Sequence, residues 1–384
     1  MKGETPPMPN CDFLNKMACG HVLRRMPNKG TYSPYLYSLH GVLNVKSIVP
    51  LSELHFFEVE HIDRADLFIG PITEGTAQKS VGARKIFANS SSATYSEHLG
   101  ALGVVVCIDF LDKLRVGVSK LLLKSPHVLY VNVVEPLLRL LFASKGYVLL
   151  HSACLSRDGK GYLISAPPDT GKTTTILRCI GESGFEFLSD DMTILDRFGN
   201  LYAFPKPLTI SAHTFSALCS NGDGSGPRIP SLRIRGYAHS RMGRKILRLL
   251  GRLTMVPIFT VNAIAQYFVE PPKVEITEII SDVSMGRRAK LRSMYFLTKG
   301  RPEIRPLATE EAVSRAILNS DDAFFFPPYD EIFPHVSIDC FSFRDLMTRE
   351  HQMLFEVISN SECLKVASEN YGWSRILIEA INHD

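Results

Sequence analysis

The sequence predicts an α/β protein: a strand–loop–helix core, an antiparallel β-rich module ahead of it, and a helical insert within it. Three observations carry this. Residues 147–184 read as strand, tight turn, second strand, Gly-Lys-Thr and helix. Residues 185–191 read as a return strand ending in two carboxylates. Residues 35–118 break into short alternating apolar runs separated by Gly, Pro, Asn and Ser.

The N-terminal residues 1–30 are polar and rich in Met, Pro, Lys and Gly, the composition of a flexible tail. The β-rich module is assigned to 31–125 and the core to 126–384, with a basic insert at 221–270. The stretch YVNVVEPLLRLLFAS reads as a strand edge followed by a helix, with Pro136 in its first turn.

Tyr147–Leu155 is the first predicted core strand, Arg157–Gly161 a turn, and Tyr162–Ala166 the second strand. Pro167-Pro168-Asp169-Thr170-Gly171-Lys172-Thr173 then leads into a helix from Thr174 to about Gly184. Backbone N–H groups of such a loop, and the free ones at the helix start, converge on one point and bind an anion. Asp169, Thr170, Gly171, Lys172, Thr173 and Thr174 are therefore the candidate nucleotide-binding residues. Lys172 would place a charge on the β- and γ-phosphates of ATP, and the Thr173 hydroxyl would ligate Mg²⁺. The pattern G-x-x-x-x-G-K-[ST] asks for glycine where this chain has Ala166. Alanine fits if φ there is negative; a positive φ would cost about 1 kcal/mol or more. Pro167 and Pro168 remove two amide donors. Asp190 and Asp191 follow Lys172 by about 18 residues, one helix and a return strand. A strand end on the loop side is where an acid reaches phosphate-bound Mg²⁺, so Thr173, Asp190 and Asp191 form the candidate metal set.

The block LLHSA…GKGYLISAPPDTGKTTT…FLSDD resembles the catalytic domain of HPr kinase/phosphorylase, whose P-loop is similar to that of phosphoenolpyruvate carboxykinase. The stretch LRSMYFLTKGRPEIRPLATEEAVSRAILNS resembles relatives of that family as well. The resemblance is specific over 147–210 and loose over 35–320. It implies ATP and Mg²⁺ as cofactors and a hydroxyl as phosphoryl acceptor. It implies catalytic roles for Lys172, Asp190, Asp191 and His151, one Asp on the metal and the other as base, without saying which. The family's acceptor side would be lined by the region of Lys206 and His213, and Gly286-Arg287 faintly resembles a Gly-Arg of its signature. The family also assembles as oligomers, so a homo-oligomer is expected.

Forty-three Lys and Arg against thirty-nine Asp and Glu leave a net charge of +4. Residues 228–252 alone hold eight of the basic residues and no acid, so the remainder is net −4. Met242, Ile246, Leu249, Leu250 and Leu253 fall at near-helical spacing within that basic run. It reads as a solvated helix, a helix for an anionic membrane surface, or a site for an acidic partner. The helical stretch 241–253 has no interleaved aromatic residue, which disfavours nucleic acid. The eight cysteines show no C-x-x-C spacing, and Cys11, Cys19 and His21 lack a second ligand pair. With no signal-like apolar segment and no apolar run of 18 residues, the reading is a cytoplasmic protein, at most peripheral to a membrane.

Further along, 192–204 predicts a hairpin, 256–269 a buried apolar segment, and 274–280 a strand. A strand is expected at 291–297 and helices at 308–318, 343–358 and 373–381. Strands are also expected at 324–328 and 336–341. The functional expectation is a Mg²⁺-ATP-dependent kinase acting on a serine of a peptide or protein, or on a small-molecule alcohol. The alternatives are a nucleotide-binding regulatory module without transfer, and phosphorolysis or pyrophosphate use, which the resemblance permits.

Overall fold

The computed structural model describes residues 33–72, 84–167, 170–181, 184–209, 257–268, 273–324, 327–369 and 372–383. The expected tail, the basic segment 228–252, Asp169 and His213 lie outside them.

The first sheet has seven strands: β1 (Tyr35–Leu39), β2 (Leu43–Ser47), β3 (Leu67–Pro71), β4 (Lys85–Ala88), β5 (Ser92–Leu99), β6 (Leu102–Asp109) and β7 (Leu114–Val118). Their order is β1-β2-β3-β7-β6-β5-β4. The sheet is mixed, not antiparallel as expected, because β2–β3 and β3–β7 pair parallel. Between β2 and β3 a 3₁₀ turn, Ser52–Phe57, carries the chain back before β3 starts, as a parallel neighbour requires.

Helical backbone then runs from Pro126 through a π-type turn, Tyr130–Val134, into α1 (Glu135–Ser144), so the expected strand edge is helix. Among the described residues, Pro126–Ser144 is the one helix long and apolar enough to cross a membrane, although no apolar run of that length was expected. It contains Glu135 and Arg139, and 83% of its apolar window is buried inside the fold. Leu137, Leu138, Leu141 and Phe142 pack in one cluster with Leu39, Val45 and Ile69 of the first sheet. Roughly 1.5–3 kcal/mol per fully buried side chain of this kind holds that junction.

The second sheet has ten strands. They are β8 (Tyr147–Leu150), β9 (Ala153–Arg157), β10 (Lys160–Ser165), β11 (Glu186–Ser189), β12 (Thr193–Asp196) and β13 (Asn200–Tyr202), then, after a two-residue ladder of β14 (Leu208–Thr209) with β15 (Lys273–Val274), β16 (Ser284–Met285), β17 (Arg288–Lys299) and β18 (Glu303–Pro306). A second small ladder, β19 (Ser337–Ile338) with β20 (Phe341–Ser342), precedes the last strand, β21 (Glu362–Ser368), which the sequence reading did not pick out. The main order is β16-β11-β9-β10-β17-β13-β12-β8. The start of β17 pairs antiparallel with β13, and the rest pairs parallel with β21, so the sheet forks there.

The helices are α2 (Lys172–Ile180), α3 (Ile258–Phe268), α4 (Thr309–Phe324), α5 (Phe343–Ser359) and α6 (Trp373–Asn382). α2 lays Ile176, Leu177 and Ile180 against Tyr162 and Ile164 of β10 and against Trp373 and Leu377 of α6. β10 is buried on both faces, as a strand with a parallel neighbour and helical cover must be. Three expectations are corrected. The strand at 274–280 is only β15, followed by a helical turn, Ile276–Ile279, because Glu275 and Glu278 form a capping box that starts a helix. The strand from Phe324 fails because Phe324 still belongs to α4. Of the segment expected to be buried at 256–269, the described helix α3 is buried on one side only: Phe259 and Ala263 face the core while Phe268 is 75% exposed.

Candidate active site

Three strand ends meet at one edge of the second sheet. The start of β9 lies beside the end of β10, with Ala153 opposite Ile164, and the end of β11 lies beside β9, with Ser189 opposite Cys154. Tyr147–Leu155, expected as one strand, is two, broken at His151-Ser152. The break places His151 at that edge, where a continuous strand would have kept it in register within the sheet. The loop after β10 and the residues after β11 then bring Lys172, Thr173, Asp190 and Asp191 to the same place.

Gly171 starts α2 with φ +116°, a left-handed value that favours glycine. The Thr175 N–H donates to the Gly171 carbonyl at 3.0 Å, and the Thr175 hydroxyl donates to the same oxygen at 2.9 Å. The amides before Thr175 belong to the helix's first turn and have no intrahelical acceptor. Ala166 is buried and its φ is not positive, so alanine fits there without strain.

The Thr173 hydroxyl donates to Asp190 Oδ2 at 2.9 Å. The other oxygen, Asp190 Oδ1, is buried without a hydrogen-bond partner. An orphaned carboxylate oxygen beside a threonine hydroxyl is a donor set that fits a hard cation such as Mg²⁺. Among the described residues no group of three or more His, Cys, Asp or Glu could hold a metal.

His151 is held from both sides. Its Nδ1 faces the Asn319 carbonyl at 3.0 Å, and its backbone N–H donates to Ser320 Oγ at 3.2 Å. A carbonyl only accepts, so the ring hydrogen is assigned to Nδ1, leaving Nε2 as the lone pair of the neutral ring. Nε2 lies 3.0 Å from Lys172 Nζ and 3.0 Å from Asp191 Oδ1. Neutral, it accepts from the lysine; protonated, it donates to the carboxylate. Asp191 Oδ2 in turn accepts from Lys206 Nζ at 2.5 Å, and Lys206 also donates to Glu135 Oε2 at 2.8 Å.

Burial and then the Lys172 charge push His151 below the usual imidazole value, which keeps it neutral near pH 7. Burial also lowers Lys172, against the pull of Asp191 and Asp190. Burial raises Asp190 to about 6. Asp191 goes the other way: burial would raise it, but the Lys206 ammonium, and with it that of Lys172, holds it well below the carboxylate range. Its side chain is 38% exposed, so it stands at the mouth of the site.

His151, Lys172, Thr173, Asp190 and Asp191 are thus brought together as the sequence suggested. Thr170 and Gly171 sit in the loop, and Thr174 is buried in the first turn of α2. Lys206, a faint candidate from sequence, is part of the cluster. Glu135, Asn319 and Ser320 were missed, although each carries a signal. Glu135 interrupts an apolar run, and Asn319 and Ser320 continue the buried stripe of Ala312 and Ala316 on α4. No protein-family model and no curated protein matches this sequence.

Proposed function

We propose that the protein is a Mg²⁺- and ATP-dependent phosphotransferase of the HPr-kinase-like type, acting on an alcohol of a peptide, protein or small molecule. The observation that carries this reading is the meeting of Lys172, the Thr173–Asp190 pair and the His151–Asp191 pair at one strand edge. Bound Mg²⁺-ATP would supply the transferable γ-phosphoryl group and the neutralisation of its charge. Thr173 and Asp190 are the residues that would hold the cation. Amides of the first turn of α2 would face the phosphates, with Lys172 as the mobile charge. Lys172 is 11% exposed and rests on His151, so phosphate would draw it off Nε2. Nε2 is then the unprotonated nitrogen that accepts a hydroxyl proton, and Asp191 balances the imidazolium. The test is incubation with γ-labelled ATP and a peptide and alcohol library. Label moved to an acceptor supports transfer.

One observation favours the second reading, a nucleotide-binding regulatory module. Pro167 and Pro168 take two amide donors out of the loop, which leaves fewer contacts for the γ-phosphate. In that case nucleotide binds and no label moves.

A further inference from the structure

Lys206 does not touch the phosphate loop, yet it is among the most enclosed charges near the site. Its side chain is 11% exposed, between Asp191 Oδ2 at 2.5 Å and Glu135 Oε2 at 2.8 Å. Glu135 is 5% exposed at the first turn of α1, and the Tyr130 ring lies 5.7 Å beneath the Lys206 ammonium. An ammonium enclosed by two carboxylates and a ring face is a built arrangement, not a solvated side chain that happens to be near. Burial works against its charge, but Asp191 and Glu135 overcome that, so Lys206 stays protonated.

The loop that carries Lys206 is fixed by the first sheet. The Ala203 carbonyl is 2.7 Å from Nε2 of His40, which sits in the β1–β2 turn. Phe204 packs on Phe57 of the 3₁₀ turn at a ring separation of 5.1 Å. The Ala203 and Phe204 amides donate to the Arg287 and Leu188 carbonyls, which tie the same loop to the residue just before β17 and to β11. The seven-stranded sheet thus reaches the site through one short loop whose functional end is a lysine.

We propose that Lys206 is a positioning residue: anchored by Glu135 and by the first sheet, it turns the Asp191 carboxylate so that Oδ1 meets His151 Nε2. This rests on the phosphotransfer reading for its consequence, though not for its geometry. Asp191 has two oxygens, and Lys206 occupies one. The other is left to face the imidazole at 3.0 Å, where it stabilises a proton on Nε2. Without the lysine, Oδ2 loses its anchor, and the carboxylate is free to turn further toward Lys172, whose Nζ is already 3.7 Å from Oδ1. The charged and titratable groups around Lys206 are Asp191 and Asp190 after β11, Glu135 on α1, Tyr130 in the π-type turn, Lys172 on α2 and Glu53 behind Tyr130.

The experiment compares Lys206→Met, Lys206→Arg and Glu135→Gln with the wild type in two readouts. The first is release of phosphate from Mg²⁺-ATP at about pH 7.5. The second is the Nε2 nitrogen resonance of His151 in ¹⁵N-histidine-labelled protein, which needs no turnover. Lys206→Met should lower turnover by about 10²-fold and shift the His151 resonance. Lys206→Arg should recover to within about 10-fold with the wild-type resonance. Glu135→Gln should fall between them. If Lys206→Met keeps the wild-type resonance and turnover, the positioning role is wrong. If Lys206→Met and Lys206→Arg lose activity alike with the resonance unmoved, Lys206 is only a structural charge and the proposal is again wrong. If the resonance moves in Lys206→Met and not in Lys206→Arg, yet the wild type shows no turnover, positioning stands and the phosphotransfer reading falls.

Discussion

The Thr173 hydroxyl and the Asp190 carboxylate meet at 2.9 Å, which pins the first turn of α2 to the end of β11. Two segments separated by a helix and a strand share one hydrogen bond, and the second Asp190 oxygen beside it has no partner. This is where the two candidate aspartates part company. Asp190 faces the hydroxyl and would serve the cation; Asp191 faces His151 and Lys206 and would serve the proton.

Asp190→Asn should therefore abolish the dependence on Mg²⁺ more than the binding of nucleotide. An amide cannot balance a divalent charge, and the substitution leaves the Thr173 contact possible. Titration of a fluorescent ADP analogue with and without Mg²⁺ should show similar metal-free affinity and no gain on adding the ion. Transfer should fall on the order of 10²-fold or more.

Acidity should weaken the cation site. Asp190 is raised to about 6 by burial. Ionisation is thus disfavoured in the metal-free fold, and this group's contribution to stability is lost as pH rises from 3.8 through about 6. Mg²⁺ would bind the ionised form, so below pH 6 it would have to displace a proton. Its apparent affinity should drop roughly tenfold per pH unit there and level off above about pH 7. Calorimetry of Mg²⁺ with ADP at pH 5, 6 and 7.5 reads this directly; a flat profile would contradict the assignment.

Lys172→Ala should stop phosphoryl transfer while leaving the fold intact. Burial already disfavours the charge of Lys172, and Asp191 retains Lys206 as its partner. The melting temperature should change by a few degrees at most, about the shift that ~1 kcal/mol produces. Turnover near the wild-type rate in this variant would end the kinase reading.

The scaffold behind the site has its own weak point. Arg139 on α1 is fully buried; its Nε donates to both Glu350 oxygens at 3.0 Å and one terminal nitrogen to Asp321 at 2.8 Å. α1 carries Glu135 and α4 carries Asn319, so this pair of contacts ties together two elements that hold the site. Glu350→Ala leaves the guanidinium buried and half-paired and should cost about 3–5 kcal/mol in urea denaturation.

The strand–loop–helix at 160–180 and the paired aspartates were legible because such a unit is local: its turn, its glycine and its helix start lie within a few residues. His151 was legible as a residue, but its place at a strand break was not, since an apolar run does not show where it kinks. The first sheet was read as antiparallel because alternation reports which face is buried and is silent about strand direction. Parallel pairing of β2 with β3 depends on the crossover at Ser52–Phe57. Lys206 looked like an exposed lysine between prolines because its partner Glu135 lies 71 residues earlier in the chain. Alternation also suggested a strand at 274–280, where a Glu275–Glu278 capping box starts a helical turn instead.

Calorimetric titration of the purified chain with Mg²⁺ and a non-hydrolysable ATP analogue, alongside Lys172→Ala, tests the central claim most directly. The account predicts one site per chain with micromolar affinity, lost or weakened at least tenfold in the variant. Absence of binding heat in the wild type, or equal affinity in both proteins, would contradict it.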